Sequence, residues 1–152
     1  MPLLSTFGAA SARSFGGIGA AAAGAGLDID EAFSTFVYDG SSSGQTITNN
    51  IDLSGEGGLV WIKSRTSADT HLLFDTARGT GKYLISHDTS QEATNNQLLT
   101  AFNSNGFSLG TDFGANDPNQ RYVSWTFRAA KGFADVVKIT GDGTSGRNIS
   151  HN

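Results

Sequence analysis

Few side chains in this sequence could do chemistry. The histidines are His71, His87 and His151, and the glutamates are Glu31, Glu56 and Glu92. His71 and Asp75 stand four apart in what reads as a strand. There i and i+4 share one face but lie about 13 Å apart, too far to hold one metal ion between them. His87-Asp88 closes a strand and reads as a turn. His151 falls in a Gly/Ser-rich terminal stretch and reads as a surface or interface residue. No metal ligand set and no cofactor is expected. Glycoside hydrolysis needs two carboxylates about 5–10 Å apart across a cleft, whereas the three Glu fall in loops, linkers or turns. Gly16-Gly17-Ile18-Gly19 lacks the Lys-Ser/Thr and the opening strand of a phosphate loop, and no nucleophile-elbow pattern is present. There is no cysteine, which removes disulfides, thiolate metal sites and thiol nucleophiles. Enzymatic activity is not expected.

What is left is a set of candidate contact residues: Arg65, Asp69, His71, Asp75 and Arg78, which could meet a glycan or a neighbouring subunit. Asp75 and Arg78, within Asp-Thr-Ala-Arg-Gly, read first as a pair fixing the turn between two strands, worth little if exposed. Trp61 and Trp125 lie inside strands and read as core side chains before sugar-stacking platforms.

These residues must be positioned by β-structure. The 152-residue chain is the size of one domain. Hydrophobic residues are 38% and charged residues 16%, and small polar residues fill the gap: Ser 17, Thr 15, Asn 10 and Gly 20. Such a chain lacks the helix formers that cover solvent faces, while ten Phe, three Tyr and two Trp are too many for a disordered one. Net charge is −4 with Lys and Arg spread singly, so nucleic-acid binding by phosphate neutralisation is not expected. No apolar run is long and uninterrupted enough for membrane insertion.

Short apolar runs separated by turn residues begin at Phe33 and predict an all-β sandwich. The predicted strands are Phe33–Asp39, Gln45–Ile51, Gly58–Lys63, His71–Asp75, Tyr83–Ser86, Leu98–Phe102, Gly106–Leu109 and Tyr122–Arg128. In the last, Val123, Trp125 and Phe127 make one strongly apolar face. Gly58–Lys63 reads as a strand covered on both faces. Asn103-Ser104-Asn105-Gly106 predicts a tight turn needing positive φ. Helix is limited to one short turn near Glu92–Asn96.

Before Leu27 the composition differs. This stretch is Ala, Gly and Ser with one charged side chain, Arg13. It cannot bury enough apolar area to offset its ordering entropy alone. It reads either as a low-complexity tail or as an extended arm whose anchors, Leu3, Leu4, Phe7, Arg13, Phe15 and Ile18, settle on a partner. Fully extended it spans roughly 90 Å. It lacks the basic start of a secretion signal. Three regions follow: an arm over 1–30, a sandwich over 31–130, and 131–152. The last repeats an earlier pattern. Gly146, Ile149 and Asn152 match Gly44, Ile47 and Asn50 at a constant offset, which suggests a strand-turn-strand opening a second repeat, or a linker.

The runs GGLVWIKSRTSADTHLLFDTARGTGKYLISHDTSQEA, FNSNGFSLG and YVSWTFRAA together resemble a module recurring in tail fibres and other tail-associated structural proteins of bacteriophages, marine ones especially. The start, MPLLSTFGAASARSFG, is similar to the start of phage tail proteins. The resemblance implies a concanavalin A-like (laminin G-like) jelly roll with no catalytic role. It implies a virion protein of the tail, assembled in the host cytoplasm, whose N-terminal arm attaches a fibre to tail proteins such as an adaptor or nozzle. It further implies a homotrimer. Two alternatives stand beside it: a lectin-like module binding a host-surface glycan, and a head fibre or decoration protein.

Overall fold

The computed structural model describes residues 27–151. The arm anchors Leu3, Leu4, Phe7, Arg13, Phe15 and Ile18 lie outside the described residues. Among the described residues there are nine strands: β1 (Phe33–Asp39), β2 (Gln45–Thr48), β3 (Gly58–Ser64), β4 (Leu72–Asp75), β5 (Lys82–Ile85), β6 (Ala93–Thr94), β7 (Leu99–Asn103), β8 (Gly106–Leu109) and β9 (Arg121–Arg128). They form a six-stranded sheet, ordered β1-β9-β3-β4-β5-β6, and a three-stranded sheet, β2-β8-β7. All pairings are antiparallel. The core lies between the sheets. Ile47, Leu99, Phe107 and Leu109 come from the small one, and Tyr38, Val60, Ile62, Leu72, Phe74 and Tyr122 from the large one.

Local chemistry sets the turns. Gly106 starts β8 at φ 145°, and a Cβ there would sit 2.0 Å from the Ile47 carbonyl oxygen, so only glycine lets β2 pair this closely. Two single-turn helices, α1 (Ile29–Ala32) and α2 (Phe113–Asn116), are each capped by an aspartate, Asp28 and Asp112, whose side chain accepts a backbone N–H. The helical turn expected near Glu92–Asn96 is not formed. Ala93 and Thr94 instead pair with Tyr83 and Lys82 of β5, and the Asn95 amide donates to Gly81 (2.7 Å), so sheet pairing overrides local preference there. The strand-turn-strand expected over 131–152 is also not formed. Beyond a bridge between Ala130 and Ala134, no strand occurs among the described residues of this stretch. A lone hairpin with no sheet to join is marginal in water.

The largest departure concerns β9. Trp125 was expected in the core, yet the strongly apolar face that it shares with Val123 and Phe127 points away from it, and the hydroxyl residues face the core instead. Tyr122, Ser124 and Thr126 are fully buried. Trp61 and Trp125 are therefore outside the inter-sheet core, half-buried on the opposite face of the large sheet. The reason is polar. Tyr122 Oη donates to the Phe113 carbonyl (2.8 Å) and accepts from the Asp117 amide (3.0 Å). Thr126 Oγ1 accepts from Asn49 Nδ2 (2.8 Å), and Tyr38 Oη donates to the Ala115 carbonyl (2.9 Å). Turning these groups outward would strand Asn49 and the α2 carbonyls inside without partners.

Phe74→Ala, which empties a fully buried site, should cost about 3–5 kcal/mol in urea unfolding. Trp125→Ala should cost clearly less. Equal losses would return Trp125 to the space between the sheets.

Candidate functional site

The outward face of the large sheet is built by the alternation of five strands. Strand registers align Thr35, Trp125, Trp61, Leu73 and Leu84 into one row across β1, β9, β3, β4 and β5. A second row holds Phe33, Phe127, Leu59 and Asp75, and a third Val37, Val123 and Lys63. The two indoles are direct cross-strand neighbours, with ring centroids 5.2 Å apart and tilted by 56°. Phe33 and Phe127 pair in the same way at 4.9 Å. Val37, at 57%, and Leu84, at 38%, are exposed.

Part of this face is lined by the chain itself. Residues 133–138 pass over the second row. Phe133 and Val136 meet Leu59 and Phe127 around a cavity of about 330 Å³. Val136, Val137 and Lys138 meet Asp75, Arg78 and Leu84 around another of about 280 Å³. In the tryptophan row Leu84 is reached by this segment, whereas Thr35, Trp125, Trp61 and Leu73 line neither cavity.

Several polar groups of the face are engaged within the chain. Trp61 Nε1 donates to His71 Nδ1 (3.3 Å), and the His71 backbone amide donates to His87 Nδ1 (3.3 Å). The two imidazoles lie 5.5 Å apart. Loss of water, then Lys63 and His87, lower the His71 pKa below its ordinary value, which favours the neutral ring that accepts from Trp61. Lys63 Nζ is turned back onto the carbonyls of Ser64 (2.6 Å) and Ser67 (2.9 Å). No group of three or more metal-ligating side chains occurs among the described residues.

The five candidate contact residues do not form one cluster. His71 lies on the open half of the face. Asp75 and Arg78 lie under the crossing segment as a buried ion pair, with side chains only 4% and 9% exposed. Arg78 also donates from its amide to Asp75 Oδ1 (2.8 Å) and from Nη2 to the Leu73 carbonyl (3.3 Å). This pair fixes the turn after β4 and is far from the exposed, weak contact that the motif allowed. Asp69 is used inside the 64–70 loop, accepting from Ser67 Oγ, which also bonds Gln120 Oε1 (2.8 Å). Arg65 is exposed at the far rim beside Val37, Tyr38 and Asp39. Sequence reasoning missed the paired tryptophans as a surface. Their one sequence signal was that the inward alternates, Ser124 and Thr126, are small and polar.

A family model, described as a domain of unknown function (DUF7483), matches residues 28–152. The chain belongs to the DUF7483 family. The DUF7483 match begins at Asp28, the cap of α1, and takes in both sheets and the segment crossing the outer face. Comparison with curated proteins and with solved structures finds no match.

Arg78→Met should destabilise the domain by about 3–5 kcal/mol, because it leaves the Asp75 carboxylate buried and unpaired. Arg121→Met, which breaks the exposed pair with Asp39 (70% and 82% exposed), should change stability by about 0–1 kcal/mol. Urea unfolding of the two variants side by side gives the comparison, and similar losses would mean that the Asp75–Arg78 pair is not buried.

Proposed function

We propose that this chain is a structural protein of a bacteriophage virion, the anchoring part of a tail fibre that attaches the appendage to the tail. In this reading the two sheets are a concanavalin A-like jelly roll that serves as a rigid shoulder. The leader, 1–30, inserts into a tail partner such as an adaptor or nozzle, and 131–152 leads toward a distal portion. Three copies make the fibre. The resemblance carried by the VWIK, LFDTARG, NGFSLG and YVSWTF pieces supports the placement in a tail.

The observation that carries a structural role is the character of the outer face. Small-molecule sites converge a few free polar groups in an apolar pocket. Here the polar groups of Trp61, Lys63 and Asp75 are each spent on a neighbour of the same chain. What is offered outward is apolar area from Val37, Val123, Trp125 and Leu73, which suits packing against another polypeptide.

A lectin-like module is the second reading, and the outward tryptophan pair favours it. Against it, the two rings are tilted rather than coplanar, and among the described residues their row, Thr35, Leu73 and Leu84, brings no carboxylate or amide side chain beside them to take sugar hydroxyls.

Removing residues 1–27 should leave the sandwich folded, as read by circular dichroism, and abolish incorporation into particles. Wild-type levels of the truncated chain in purified particles would overturn the anchoring role.

A further inference from the structure

The tryptophan row is an open apolar strip on a sheet whose adjoining strip is already covered. Its neighbour there, residues 133–138, is an irregular segment of the same chain that sets a part-buried Val136 and an exposed Phe133 beside Leu59 and Phe127. The open strip has the same chemistry. Its central side chains are Trp125, Trp61, Leu73 and Val123. The carboxylates that point this way are Asp39, ion-paired to Arg121 at the rim, and Asp75, buried against Arg78. The ammonium in the adjoining row, Lys63, is held by two carbonyls. An occupant therefore needs apolar anchors, little charge and a slender backbone.

The chain carries such a segment next door. It enters the edge strand β1 from Leu27, and Phe33, six residues on, already stands on this face against Phe127. The 26 residues before Leu27 include none with a charge from Ser14 to Gly26, and they place Phe15 and Ile18 among Gly and Ala. Ile18 is nine residue steps from Leu27, a reach of roughly 30 Å when extended. Crossing from β1 to β3 takes about 10 Å. Small residues let a backbone approach a flat sheet closely, and a tethered segment needs little intrinsic affinity to stay bound.

We propose that the stretch from Phe15 to Ile18 is the occupant of the Trp61–Trp125 strip of its own chain. This rests on reading the leader as a docking segment. It assigns the second half of the leader to the protein's own sheet and leaves Leu3, Leu4 and Phe7 for the tail partner.

The test uses the full chain and its own chromophores, because Trp61 and Trp125 are the only tryptophans and both lie on the strip. The F15S/I18S variant should show red-shifted tryptophan emission and stronger quenching by acrylamide, with unchanged circular dichroism. The L3S/L4S variant should match wild type, and the conservative F15L/I18L variant should restore the wild-type emission. Wild-type emission and quenching in F15S/I18S would overturn the proposal. So would an equal shift in L3S/L4S, since that points to a general effect of the leader. None of these readouts depends on incorporation into particles, so the anchoring role stands or falls separately.

Discussion

The register of β9 governs the architecture on both sides of the large sheet. β9 pairs with β1 on one side and β3 on the other, so a slip of one residue would send every β9 side chain to the opposite face and break its matched pairs with both neighbours. That register is held by buried hydroxyls. Tyr122 and Thr126 on β9, and Tyr38 on β1, each close a hydrogen bond to a group on the opposite side of the core. Hydrophobicity alone would choose the other face, since Val123, Trp125 and Phe127 exceed Ser124 and Thr126 in apolar area. The cost of an unsatisfied buried donor or acceptor, about 1–3 kcal/mol each, is enough to decide the contest when several act together.

Once β9 is set, the two faces have different characters. Inward, the small side chains of Ser124 and Thr126 share a core with Ile51, Leu53 and Phe107, all fully buried. Asn116 completes the interior end of the sandwich. Its amide donates to the carbonyls of Ser43 (2.9 Å) and Gly110 (2.7 Å), and its Oδ1 accepts from Ser41 and Gln45, so one buried side chain holds three loops. Outward, aromatic pairs run across the strands, and the polar groups among them are closed off locally. A face of that kind is a packing surface, and the chain has already used part of it for residues 133–138.

Much of the strand layout was legible in the sequence. Phe33–Asp39 and Gly106–Leu109 form as the alternation and turn residues indicate, and the other predicted strands differ by up to three residues at their ends. Those signals are local. What could not be read depends on partners far along the chain: Asn49 with Thr126 and Tyr38 with Ala115 are each 77 residues apart. Without those partners, Trp61 and Trp125 look like core residues, and β6 looks like a turn. The candidate site was legible only in part. His71 was singled out, yet its link to Trp61 and His87 crosses strands. The Asp75–Arg78 pair was visible as a motif, but its burial comes from a segment more than fifty residues later.

The most direct test of the β9 register is a double-mutant cycle on the bond that crosses the core, Asn49→Ala with Thr126→Val, read by urea unfolding. A register with Thr126 inward gives a coupling of about 1 kcal/mol or more between the two changes. Additive losses with no coupling would place Thr126 on the outer face, send Trp125 inward, and contradict the account of both faces.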